Sequence, residues 1–488
     1  MDLIKELVYV LRMNPSKSIQ LVLPEGSKMR KLFNAISKDK IHTDDEAAEL
    51  IYESSSKDKK YLMLKKNLRD RLIDILVTSE PSEDESDKYL NVRFKLKKQL
   101  IVAQKLLENN VFHNAENILI DVKEQAQKIF LIDVLLDALF QLRHMYMLMG
   151  YPDETKAIHA ETVRITSQYH LETESNGAYE LVKSRIKFKK GNDYETAKIA
   201  QEYVEKLSVF FDISNSPFIK LNLLRLQLIV NKQTNNILSN TTVLNEFKKE
   251  LAKYNFLETN QIKLELYVEY AQFYLQTNDF KNAEHYIHKA LKTSSFEAFN
   301  VFEVLSLEFE YLIKTKSYSK ATELIEKMYS QPQYDYIHKY DKAAWYLREA
   351  YLFYIKGKEG LSPDTFSFKT QIDEKVLQEM LQPLNKDKTG WNLWYMLLKL
   401  LLLRESKSSN FENEANNLNV YSQRYIKDST EFRTLTFIKL ISKAAKKNFS
   451  TSFFQENSDI TLYFGDNNLV CDNCEFIPYP VLWKYFKG

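Results

Sequence analysis

Residues 266–291 read LYVEYAQFYLQTNDFKNAEHYIHKAL. Tyr267, Tyr270, Ala271 and Tyr274 recur at three- and four-residue steps, the spacing that gathers side chains on one face of a helix. Thr277, Asn278 and Asp279 then supply a polar turn. Ala283, Ile287 and Ala290 resume the helical spacing. Two antiparallel helices follow, with Ala271 and Ala283 small enough for close approach and the bulky neighbours filling the space around them.

The same frame recurs along the chain. Downstream it is carried by Leu305, Leu312, Tyr318, Ala321, Ile325 and Met328, followed by Pro332. Upstream it is carried by Leu181, Phe188, Tyr194 and Ala197 around Gly191-Asn192-Asp193. Earlier still stand Ala103, Leu106, Phe112, Ala115, Leu119 and Val122, and a weaker copy has Leu139, Leu142 and Tyr146 before Gly150 and Pro152. The marker positions Ala115, Thr155, Ala197, Ala283 and Ala321 are 40, 42, 86 and 38 residues apart. The long gap is twice the others, so a degenerate unit is expected around 220–255.

These residues resemble the tetratricopeptide repeat, with its aromatic, small and bulky positions, although that family's period is about 34. The longer period here implies longer helices or connections. The resemblance implies an all-α fold, a right-handed α-solenoid of helix hairpins whose first helices line a concave groove. By frame, the groove positions are His144, Lys183, Lys189, Glu265, Gln272, Glu303 and Glu310. The lysine and asparagine pattern with which some members hold a C-terminal carboxylate is not met. Glu265, Glu303 and Glu310 instead make an acidic stretch suited to a basic segment.

Composition agrees with helices. There are 9 glycines and 10 prolines in 488 residues, against about 7% glycine in an average chain, too few turn residues for a many-stranded sheet. Aromatic residues make up 13%. Lys plus Arg is 68 and Asp plus Glu is 66, a balance that gives no general electrostatic footprint for nucleic acid or anionic lipid. The opening MDLIKELVYVLRM interrupts its apolar positions with charges and reads as an amphipathic helix, not as a signal peptide. The most apolar run, WNLWYMLLKLLLL from Trp391, contains Lys399 and falls short of the about 20 residues of a membrane span. A cytoplasmic protein without membrane insertion is expected.

Five segments follow: an N-terminal helical domain (1–78), an acidic linker (79–90, containing SEPSEDESD), the repeats (91–345), further helical pairs (346–450) and an aromatic tail (451–488). In the first, residues 28–37, 44–53 and 57–77 read as helices, and Thr43 with Glu46 fits a capping box. In the last, TLYFGDNNLV and CEFIPYPVLWKYF lack helical spacing. Trp483, Tyr485 and Phe486 favour a tail packed back on the last helices as a cap.

Chemistry-bearing motifs are sparse. Of the nine glycines only Gly357 and Gly360 are neighbours, so neither a phosphate loop nor a dinucleotide fingerprint can be written. Cys471 and Cys474 have the spacing of half a zinc site, without a second pair. His285 and His288 stand one turn apart on a helix, without a third ligand. No catalytic, cofactor-binding or metal-ligating residue is assigned.

The expected function is a non-enzymatic scaffold or adaptor that binds another protein or peptide in the groove. The alternative is a DNA-binding regulator. Lys57, Lys59, Lys60, Lys65, Lys66, Arg69 and Arg71 make the third N-terminal helix basic, and a basic third helix resembles a helix-turn-helix reader. Nucleic acid is expected only through this domain, which carries 15 basic and 13 acidic residues in its first 80.

Overall fold

The computed structural model describes residues 2–13, 23–38, 40–78, 88–187, 193–234, 236–294, 301–331, 334, 337–360, 378–379, 381–382, 390–426, 432–449, 453 and 475–487. Among these the fold is all-helical, with 20 α-helices and no strand. It divides into two compact units, 1–102 and 103–488.

The first unit contains α1 (Asp2–Met13), α2 (Lys28–Ser37), α3 (Asp44–Tyr52), α4 (Lys59–Thr78) and the start of α5 (Lys88–Glu108). Ile4, Val8 and Leu11 of α1 meet Leu32 and Phe33 of α2, Ala47 and Ile51 of α3, and Leu68, Leu72 and Ile75 of α4 in one core. The apolar residues recur three and four apart, so each helix turns a single stripe inward. The capping box is formed: Thr43 Oγ1 accepts from Glu46 N, and Glu46 returns to Thr43 N.

In the second unit, α6 (Phe112–Lys128) packs on α7 (Ile132–Met149), and α7 on α8 (Pro152–Lys187). Next come α9 (Asp193–Ser214), α10 (Pro217–Gln233), α11 (Asn240–Lys253), α12 (Asn260–Gln276), α13 (Phe280–Thr293), α14 (Val301–Lys314), α15 (Tyr318–Tyr329) and α16 (Lys339–Lys358). Helix α8 also contacts α10, and α12 also contacts α14, while α10 reaches α12 through side chains, Arg225 to Glu265 and Lys232 to Gln272. The core is handed on in the same way. One cluster joins α8, α9 and α10 through Val182, Ala200 and Leu223. Another joins α10, α11 and α12 through Leu224, Phe247 and Leu266. A third joins α12, α13 and α14 through Ala271, Ala283 and Val304. No pair closes its own core, which is the packing logic of a helical repeat.

One reading is refined and one changes. The degenerate stretch at 220–255 is a helix pair, α10 and α11. The helix beginning near Thr155 does not stop before Leu181: both belong to the 36-residue α8, which serves as the second helix of one pair and the first of the next. Its Gly177 is backed by open space, so nothing there forces a break.

The turns explain how a glycine-poor chain folds back so often. Asn110, Phe130, Gly150, Asn278 and Lys316 all have left-handed backbone (φ 60°, 57°, 74°, 57° and 58°). After each, the next N–H reaches back five residues to a helical carbonyl, as from Asp279 N to Tyr274 O (2.9 Å) and Ser317 N to Leu312 O (2.8 Å). This is the Schellman closure, in which glycine is the usual left-handed residue. Here four of these five positions carry a side chain instead.

The remaining described helices are α17 (Trp391–Glu405), α18 (Phe411–Tyr425), α19 (Phe432–Lys446) and α20 (Tyr479–Lys487). Lys399 sits within apolar α17 because Glu414 of α18 receives its ammonium at 2.8 Å. The C-terminal region holds a large aromatic cluster. Tyr479 stacks on Phe437 at 4.4 Å, and Phe476 meets Trp394 at 5.1 Å and Tyr351 at 5.7 Å. The absence of helical spacing read near the C-terminus is corrected at Tyr479–Lys487, which is helical. Pro480 falls in the first turn, where a missing N–H costs nothing, and Tyr479 with Trp483 and Leu482 with Phe486 make the four-residue steps.

Candidate functional site

Polar side chains that alternate helices turn toward one another form a series of hydrogen-bonded and ion-paired clusters, together a polar network, in the second unit. It begins on α8. Glu172, 8% exposed, accepts from Ser216 Oγ at 2.6 Å. Ser175 and Asn176 receive the amide of Asn222 from α10 at 3.1 and 2.7 Å. Asn222 in turn accepts from Arg225 Nη1 at 3.0 Å. Arg225 then grips Glu265 of α12 with Nε to Oε1 at 2.8 Å and Nη2 to Oε2. The Tyr179 hydroxyl of α8 donates to the same carboxylate at 3.2 Å, and the Arg225 guanidinium lies 5.0 Å from the Tyr179 ring centre. Burial, with the Glu265 charge behind it, pushes the Tyr179 phenol well above its ordinary range.

Two turns further along α10, Lys232 bridges Glu269 and the Gln272 side-chain oxygen, each at 2.5 Å. On α14, Lys314 is almost wholly buried. It pairs with Glu310 at 2.9 Å and donates to the Leu275 carbonyl at 3.1 Å.

Of the seven groove positions, Lys183, Glu265, Gln272 and Glu303 converge on this network. Lys183 is exposed, 5.4 Å above the Tyr179 ring, and interacts electrostatically with Glu303. Glu310 pairs with Lys314 on its own helix. His144 is exposed on α7 and has no contact with the network. Lys189 lies outside the described residues, as do residues 79–87 of the expected linker, Cys471 and Cys474, while residues 88–90, read as the end of that linker, already belong to α5. Sequence reasoning missed Arg225, Lys232, Tyr179 and Glu269. A signal for the first two was present. Arg225 and Lys232 each stand forty residues before their partners, Glu265 and Gln272, one period of the repeat.

Two of the three acidic groove positions are therefore neutralised from within: Glu265 by Arg225 and Glu310 by Lys314. Glu303 differs. Among the described residues it makes no hydrogen bond or ion pair, and its surface is exposed. Yet desolvation raises its carboxyl above the ordinary value, with Lys183 and Lys232 opposing and Glu269 and Glu265 adding to the rise.

In the first unit the basic helix α4 is partly neutralised by its neighbour. Asp44 of α3 receives Lys65 at 2.8 Å and the Tyr61 hydroxyl at 2.5 Å, and Arg69 turns to Asp70 at 2.7 Å. Lys57, Lys59, Lys60, Lys66 and Arg71 stay exposed. His285 and His288 are exposed on α13. Among the described residues no three His, Cys, Asp or Glu side chains gather as metal ligands, and no helix is long and apolar enough to cross a membrane.

No protein-family model matches the chain, and no significant match is found among curated proteins or solved structures.

Proposed function

We propose that the chain is a non-enzymatic scaffold or adaptor. The helix pairs of the second unit stack as a tetratricopeptide-like, right-handed α-solenoid, and the alternate helices α8, α10, α12 and α14 line a groove that takes a peptide or partner domain. The relay of cores from pair to pair supports the stacking. Glu303 carries the groove: it is exposed by surface and desolvated by surroundings, with Lys183 near it. Its neighbours on the network are occupied with each other, so Glu303 and Lys183 are the charges left to meet a partner. The network beneath them fixes the spacing of the helices, so the surface is formed before a partner arrives.

The test is co-purification from lysate of the native cell with and without nuclease, wild type beside a Lys183→Glu, Glu303→Lys variant whose thermal melt is unchanged. A nuclease-resistant protein lost from the variant is the expected result. Equal recovery from both proteins removes the groove assignment. Recovery of nucleic acid alone transfers the function to the exposed lysines of α4.

A further inference from the structure

Arg348 is on α16 and is 9% exposed. Its guanidinium carbon lies 4.8 Å from the ring centre of Trp345 and 4.3 Å from that of Trp391. Trp345 is itself 2% exposed, and Trp391 leans on Phe476 at 5.8 Å. Among the described residues no hydrogen bond or ion pair reaches the guanidinium. Glu310 and Asp341 act on it only through space, against the burial that pulls its pKa down to about 10. No guanidinium nitrogen is both sealed from solvent and unbonded, so the donor edge still meets water.

Buried arginines are ordinarily paired, because a desolvated charge without hydrogen bonds is costly. The indole faces recover part of that cost through cation–π attraction. They act on the faces of the guanidinium plane, and the five N–H donors lie within the plane and are left unused. A planar donor fork with one open edge matches the two oxygens of a carboxylate. Asp341 sets the charge class: its negative charge, acting on the site through space, repels a phosphate dianion more strongly than a monoanion.

We propose that Arg348 anchors one carboxylate of a bound peptide, its fork receiving both oxygens while Trp345 and Trp391 hold its faces. This rests on the scaffold reading. The carboxylate comes from an acidic side chain or from a chain terminus, and the two sources are separable.

The experiment has two arms. In the first, a random-peptide display library is selected on wild type, Arg348→Lys and Arg348→Met, and recovered peptides are remade with free and amidated C-termini. In the second, the tryptophan emission of the same three proteins is titrated with N-acetylglutamate α-amide, N-acetylglycine and inorganic phosphate. Circular dichroism confirms that each variant folds. The expected result is a fixed Asp, Glu or free terminus in the selected peptides, with binding weakened on the order of tenfold or more in Arg348→Met. Arg348→Lys restores only part of it, because it returns the charge without the fork. Amidation abolishes binding only if the terminus is the ligand. Peptides selected without any acidic position, and bound equally by Arg348→Met, overturn the anchor and leave the scaffold standing. A carboxylate response in the second arm with no peptide enriched in the first keeps the anion site and removes the peptide groove. Silence in both arms overturns both, and a stronger response to phosphate overturns the carboxylate assignment.

Discussion

Arg225 and Glu265, forty residues apart, meet in a two-pronged pair that ties α10 to α12, and the Tyr179 hydroxyl adds α8 to the same carboxylate. Each side chain is about four-fifths removed from water. Removing the acid leaves a guanidinium and a phenol without their acceptor. Glu265→Ala is therefore expected to lower unfolding free energy by about 1–3 kcal/mol. Part of that loss is recovered in Arg225→Ala, Glu265→Ala, where the orphaned cation is gone, and urea denaturation of the four proteins in a double-mutant cycle measures the coupling. Additive losses would mean that the pair does nothing for the fold. Reversing Glu265 to lysine sets two cations face to face, so partner binding is properly tested at Glu303 and Lys183.

Ala271 and Ala283 have no exposed surface and bring α12 and α13 together beneath the tyrosines Tyr267, Tyr270, Tyr274 and Tyr286. A leucine at Ala283 has no space to enter without displacing one of those helices. The expected cost of Ala283→Leu is about 1–3 kcal/mol. The exposed Lys281→Leu on the same helix serves as control, since it places a leucine where there is room for it, and thermal melts compare the two.

This hairpin was legible because its small and large residues alternate at helical steps and its turn is polar. The relation between hairpins was less so. The fusion of two helices into α8 leaves no local trace, since a continuous helix and two abutting ones share the same periodicity. The Arg225 and Lys232 contacts were hidden for another reason: the unit that carries them lacks the marker alanine, so its register could not be set from the pattern. The acidic stretch of the groove was read from charge alone. Sequence does not say which carboxylates are already answered by a buried cation, as Glu310 is by Lys314.

Lys316 turns α14 into α15 with left-handed backbone at φ 58° and an exposed side chain. Such a conformation strains any residue with a Cβ and suits glycine. Lys316→Gly is expected to raise stability by about 0.5–1 kcal/mol, strain relief exceeding the added entropy of the unfolded chain. Asn278→Gly at the equivalent turn should gain less, because asparagine tolerates this region better. Equal or negative effects at Lys316 in chemical denaturation would show that the side chain itself supports the turn.

Asp44 provides a pH test within the first unit. Burial pushes its carboxyl up, but the hydrogen bonds from Lys65 and Tyr61 outweigh burial and lower it from 3.8 to about 2. The folded state therefore holds the proton less tightly than the unfolded state. Its contribution is complete above the unfolded value of 3.8 and is lost as pH falls toward 2. With solvent screening on this partly exposed group, the contribution is about 1 kcal/mol. Asp44→Asn is expected to destabilise the first unit by that amount at neutral pH and to match wild type below about pH 2. The local reporter is Tyr61, 0% exposed, whose hydroxyl loses its charged acceptor in the variant. Its fluorescence or NMR signal, followed during acid titration, separates this unit from the second. A difference between the proteins that persisted unchanged at the acid end would assign the effect to packing and not to the carboxylate charge.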